Sequence, residues 1–147
     1  MKDFARPLAA RGLEDIPTMA ARFTQRAGVL DAIVCSPARR TEDTARLFAE
    51  QIGLTTDRVS CNSELYFAGA PMLLRAVSLF DDTWQAAMLV GHNPAITDFV
   101  NSLAVLEIDS VPTAGLLQFE LDVARWSEVT LGAAQLIEFD FPKRQPS

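Results

Sequence analysis

Apolar positions recur along this chain in two periods. Within residues 14–26 they fall at Ile16, Met19, Ala20 and Phe23, the i, i+3, i+4, i+7 spacing of one helix face, with Pro17 tolerable only in the first turn. The spacing returns at Ala45, Phe48, Ala49 and Ile52, before Gly53. It returns again at Leu73, Ala76, Val77 and Phe80 in residues 71–80, and at Ile96, Phe99, Val100 and Leu103. Shorter, mainly apolar runs lie between these stripes. Residues 29–34 and 86–90 read as strands buried in a parallel sheet, and 59–61 as a short strand. After Pro112 the signal changes, with 116–121 and 135–139 reading as strands of an antiparallel pair joined by a turn region around Trp126. Residues 1–12 read as a polar lead-in, with a turn at Arg11-Gly12. This order predicts a three-layer α/β/α domain over residues 1–147, with helices on both faces of a mainly parallel sheet and antiparallel C-terminal strands.

Two strand-to-helix turns carry the chemistry. The strand at 86–90 runs into Gly91-His92-Asn93-Pro94, where Asn93 suits an N-cap and Pro94 the first helical position. His92 is the only histidine in the chain. On position alone it reads as a hydrogen-bonded structural residue. The strand at 29–34 has the same design, running into Cys35-Ser36-Pro37-Ala38-Arg39-Arg40-Thr41, with Ser36 as N-cap and Pro37 at the first helical position. Both turns would open on one edge of the sheet, the crevice where ligands bind and where unpaired helix N–H groups favour anions. A histidine and an arginine there describe a phosphate pocket.

Composition narrows the classes. A chain of 147 residues is long enough for one well-buried core. Its net charge of −6 argues against nucleic acid or an anionic membrane as partner, although a small basic pocket can sit on an acidic protein. No apolar run is long enough to span a bilayer and no signal-peptide core precedes residue 12, so the expected location is the cytoplasm. Two cysteines and one histidine make neither a disulfide framework nor a zinc set, so no metal and no cofactor are expected, and Cys35 and Cys61 read as small, reduced, partly buried residues.

Four motifs in order, Arg6-Pro7-Leu8 with Arg11-Gly12, Ser36-Pro37-Ala38-Arg39-Arg40-Thr41, Val90-Gly91-His92-Asn93-Pro94 and Pro112-Thr113-Ala114-Gly115, resemble the histidine phosphatase superfamily, and within it the SixA-like phosphohistidine phosphatases. The resemblance covers essentially the whole chain. It implies a phosphoglycerate-mutase-like fold and hydrolysis through a phosphohistidine on the enzyme. The implied substrate is a phosphoprotein carrying phosphohistidine, or a small phosphomonoester. Arg40, directly before the threonine of its motif, would hold phosphoryl oxygens, a task suited to a planar, permanently charged guanidinium. His92 would donate from the opposite side and stabilise transition-state charge. Glu64 lies where members of the superfamily carry an acid that protonates the leaving group, with a loop carboxylate in water as the alternative. Thr113 is either a hydrogen-bonding neighbour of the histidine or a turn residue after Pro112. Ser36 is an N-cap first and a phosphate neighbour second. Arg6 and Arg11 match the family's lead-in, where the resemblance implies that one faces substrate; Arg39 reads as a solvated surface residue, and Trp84 and Trp126 as packing residues.

One departure is large. Relatives open with a strand ending in Arg-His-Gly or Arg-His-Ala, which supplies the nucleophilic histidine and a second phosphate clamp. This chain has no such segment, and Met1-Lys2-Asp3-Phe4 matches the loop that follows it. The resemblance thus implies that the usual first strand is missing, through N-terminal truncation or a start codon placed too late. Neighbouring strands should be left with unpaired backbone groups, which favours self-association. Hydrolysis should be very poor, since loss of a nucleophile leaves only binding and electrostatic terms. The rival reading is a non-catalytic phosphate-binding or interaction module that retains Arg40 and His92.

Overall fold

The computed structural model describes residues 10–66 and 69–144. Helix α1 (Ala10–Gln25) is followed by strand β1 (Ala32–Cys35), helix α2 (Arg39–Ile52), strand β2 (Val59–Cys61) and helix α3 (Ala70–Ser78). Strand β3 (Ala87–Val90), helix α4 (Ala95–Ala104) and strands β4 (Leu116–Glu120) and β5 (Gln135–Asp140) complete the order. Strands β2, β1 and β3 form a parallel sheet in that order, and β4 pairs with β5 in a separate antiparallel sheet with a register shift between Gln118 and Phe119.

Strand alternation sends successive side chains of β1 to opposite faces, and this builds the layers. Ile33 and Cys35 face α1 and α2, packing with Ile16, Ala20, Phe23, Ala45 and Phe48. Val34 faces α3 and α4, packing with Leu73, Val77, Phe99 and Leu103. β1 is buried along its whole length, whereas β3 is half-buried throughout. Among the described residues β3 pairs only with β1, so the helices form the expected outer layers while the sheet is narrower than a mainly parallel sheet joined to its C-terminal strands.

Polar contacts fix how the pieces meet. The Asp31 carboxylate accepts from the Gln85 and Ala86 amides (2.7 and 3.0 Å), tying the entrance of β1 to that of β3. Asp140, nearly fully buried on β5, accepts from Arg22 Nη1 and Arg26 Nη1 (3.0 Å each), anchoring the end of α1 and the turn after it. Gly28 closes that turn, its amide donating to the Phe23 carbonyl. A Cβ on Gly28 would lie 2.5 Å from the Phe23 ring, so the absence of a side chain lets the ring reach its buried site. No helix among the described residues is long and apolar enough to cross a membrane.

Several boundaries move. α1 begins at Ala10, so Arg11-Gly12 is helical and Gly12 is buried; Arg11 pairs with Asp15 one turn on (3.4 Å), which supports continuous helix. β1 begins at Ala32, leaving Val29 exposed ahead of it. The N-cap expected at Ser36 is corrected, because α2 begins at Arg39 with Ala38 at the cap. Ser36 is fully buried and its hydroxyl is committed elsewhere. Asn93 is likewise not the cap of α4, which begins at Ala95 after Pro94. Its side chain instead bridges two elements, accepting from Thr97 Oγ1 (2.7 Å) and donating to the Val111 carbonyl (2.8 Å). Cys61 is exposed, not partly buried, because its side chain lies at the open end of the edge strand β2. Arg6 lies outside the described residues.

Candidate active site

The C-terminal ends of β1 and β3 are in register, with Cys35 opposite Val90, so the residues that follow them emerge side by side. The Ser36 amide continues the ladder by donating to the Val90 carbonyl (3.0 Å). Two residues later His92 turns back over it. Gly91 permits this turn, since a Cβ there would press to 3.1 Å against the Ile96 side chain. Helix α2 then carries Arg40 over the same edge. Its first turn is held by Thr41, whose buried hydroxyl contacts the carbonyls of Ser36 and Ala38 (2.8 Å each).

These elements converge on the His92 ring. Arg40 Nη2 lies 2.7 Å from Nδ1 and Ser36 Oγ lies 2.7 Å from Nε2. A guanidinium can only donate, so Nδ1 accepts, and the ring proton sits on Nε2 and is donated to Ser36. Tyr66 stands edge-on to the ring, with centroids 5.8 Å apart and planes at 78°. His92 and Arg40 are both half-buried, and Ser36 is fully buried. Strand end, helix start and aromatic edge thus fix the imidazole plane. The arrangement sets the cationic N–H donors of Arg40 beside the imidazole at one rim of the sheet, which suits an oxyanion. Among the described residues no three of His, Cys, Asp and Glu come together as a metal set.

The remaining candidates separate. Glu64 is exposed in the 3-10 turn Ser63–Leu65, where its amide is capped by Asn62 Oδ1 (3.0 Å). Thr113 is exposed in the turn that Gly115 closes on the Pro112 carbonyl (2.9 Å). Arg39 is exposed, 3.8 Å from Asp43. Trp84 and Trp126 pack on Phe80, with centroids 5.6 and 5.3 Å away, and Trp126 Nε1 donates to the Trp84 carbonyl. Two grooves, one bounded by Leu121, Val129 and Ala133 and one by Cys61, Leu79 and Phe80, are lined by neither Arg40 nor His92. Tyr66, the only tyrosine, had no sequence signal beyond its place after Glu64 and Leu65, because its role depends on the fold of the intervening turn.

Comparison with known proteins bears on the fold. A family model described as the histidine phosphatase superfamily (branch 1) matches residues 4–68. An uncharacterized protein of Mycobacterium tuberculosis, present in two strains, is 24% identical over 96% of this chain and 92% of its own length. Among solved structures, a candidate phosphohistidine phosphatase SixA from Agrobacterium tumefaciens superimposes with a TM-score of 0.80 at 23% identity, covering 97% of this chain and 87% of that one. The protein histidine phosphatase SixA complexed with tungstate gives 0.79 at 18% identity, covering 96% and 87%. A SixA assignment from Nakamurella multipartitia gives 0.77 at 19%, covering 98% and 89%. The family match spans the turn that holds Ser36, Arg40 and Thr41, and over nearly its whole length the chain has the fold of these solved structures.

Proposed function

We propose that the chain binds the phosphoryl group of a phosphohistidine-bearing protein, or of another phosphomonoester, between Arg40 and His92, as a phosphatase of the histidine phosphatase superfamily it resembles would. The observation that carries this reading is the convergence of Arg40 and Ser36 on the two nitrogens of His92, at 2.7 Å each. An incoming oxyanion takes over the Arg40 donor, replacing a neutral acceptor with a charged one, and charge-assisted bonds of this kind are the stronger ones. With Arg40 moved to the oxyanion, Nδ1 is open to a proton, and an imidazolium still held by Ser36 at Nε2 donates its Nδ1–H to the charge that develops as the phosphoryl group transfers. The tungstate complex of a SixA relative supports a tetrahedral oxyanion as the class of ligand for this fold.

Turnover is a separate matter. Both nitrogens of the one histidine are engaged, Nδ1 by Arg40 and Nε2 by Ser36, so neither lone pair is presented to phosphorus. These 147 residues are therefore expected to bind the phosphoryl group and hydrolyse it poorly. This same engagement favours the second reading, a phosphate-binding module without catalysis.

The deciding experiment measures inorganic phosphate binding by calorimetry alongside hydrolysis of an aryl phosphate and of a phosphoramidate-phosphorylated histidine peptide. Phosphate binding that weakens by roughly 10–100-fold in Arg40→Ala, the loss of about 1.5–3 kcal/mol for a hydrogen bond to a charged group, supports the site. Turnover abolished by His92→Ala would support a catalyst and overturn the expected inactivity. Binding indifferent to Arg40 would overturn the site itself.

A further inference from the structure

Cys35 and Cys61 take no part in the chemistry above. They are Cα partners at the C-terminal ends of β1 and β2, and their Sγ atoms are 3.5 Å apart. Neighbouring strands lie about 4.7–4.9 Å apart, within the Cα separations of about 4.4–6.8 Å that disulfides span, so bonding the two sulfurs requires side-chain rotation more than backbone movement. Access is asymmetric. Cys35 is buried, whereas Cys61 is exposed and lines a groove of about 350 Å³ with Asn62, Ser63, Leu79 and Phe80. Burial, with the hydrogen bond and charge of Cys61 adding to it, pushes the Cys35 thiol up to about 12, so Cys35 stays protonated until it reacts. The order of events follows: the exposed sulfur meets an oxidant first and the buried one resolves it.

We propose that Cys35 and Cys61 form a reversible oxidation site, closed to an intrachain disulfide by a hydroperoxide, and that closure is transmitted to His92 through Ser36. In the first step the Cys61 thiolate attacks the peroxide, the O–O bond breaks, and Cys61 becomes a sulfenic acid while the other oxygen leaves as water or alcohol. In the second step the Cys35 sulfur attacks the Cys61 sulfur, loses its proton, and the sulfenic oxygen leaves as water. Two thiols are oxidised by two electrons and one hydroperoxide is reduced. The link to His92 is covalent and short. Cys35 precedes Ser36, whose amide holds Val90 and whose hydroxyl holds Nε2, and the Cys35 carbonyl accepts from Asn62 across the strands. Rotation of the Cys35 side chain also gives up its Sγ contact with the Ser60 carbonyl (3.5 Å).

Because the chain has one histidine, its imidazole signals in an NMR spectrum need no assignment by mutation. The test treats the full chain with a small excess of hydrogen peroxide and follows intact mass, free thiols and the His92 ring signals. The expected result is loss of both thiols with the mass of two hydrogens, no covalent dimer, a shift of the imidazole signals, and reversal by dithiothreitol. In Cys61→Ser, at an exposed position, the same treatment should leave the Cys35 thiol and the ring signals unchanged. Oxygen gain without a disulfide, a dimer linked through Cys61, or a disulfide with unmoved ring signals would each overturn the proposal. None of these readouts depends on phosphate binding or turnover.

Discussion

Ser36 shows how a single residue can exchange one local role for another. A serine after a strand and before a proline has the chemistry of a helix cap, yet its hydroxyl serves the His92 ring and Thr41 steadies the helix start instead. Ser36→Ala leaves the Nε2–H facing an apolar methyl in a buried site, with an expected cost of about 1–3 kcal/mol, measurable as a lower urea midpoint with unchanged slope. Gly28 is the opposite case, needed for what it lacks. Gly28→Ala places a Cβ against the buried Phe23 ring and should cost about 1–3 kcal/mol by overpacking, read from the same unfolding curve. At the surface, Thr83 donates its hydroxyl and its amide to the Asp81 carboxylate (2.7 and 2.8 Å), which holds Asp81 below the usual aspartate range. A depressed folded-state value contributes stability above the unfolded pKa and loses it as pH falls through the folded one. NMR titration should therefore find Asp81 ionised to lower pH than a free aspartate, and Thr83→Val should move it back up.

At the level of elements, the helices were legible because each has an apolar stripe facing a layer: Ile16, Met19, Ala20 and Phe23 on α1, and Phe99, Val100 and Leu103 on α4 are all buried as their spacing implies. The strands were legible as runs, but their ends were not. Val29 and Leu30 extend the apolar run of β1, yet the ladder begins only at Ala32, once the Asp31 carboxylate has turned to the β3 entrance. The Arg40–His92 pairing could be read from two similar turns, whereas Tyr66 and Asn93 could not, since their contacts bridge segments distant in sequence. The tie between α1 and the far C-terminal strand was equally invisible. Asp140→Ala removes the shared acceptor of Arg22 and Arg26 and should destabilise by about 2–3 kcal/mol, below the range for a fully buried pair because both arginines reach water. Hydrogen exchange should report the loss first in α1.

Across the whole molecule, protection is set by position in the sheet. β1 lies between two strands and is buried on both faces, while β3 is half-buried and bonded on one side among the described residues. Amides of β1 should exchange more slowly than those of β3, and equal rates would mean that β3 is covered on its far side in solution. The two strands also raise a question of alignment. Ala32-Ile33-Val34-Cys35 and Ala87-Met88-Leu89-Val90 are apolar throughout, so a pairing slipped by a residue would bury similar surface. What separates the alternatives is the Asp31 carboxylate, which can receive the Gln85 and Ala86 amides in one alignment only. Its worth lies less in stability than in choice: it widens the gap between nearly equivalent pairings, and so decides, from the end of the sheet opposite the site, which residue arrives beside Arg40.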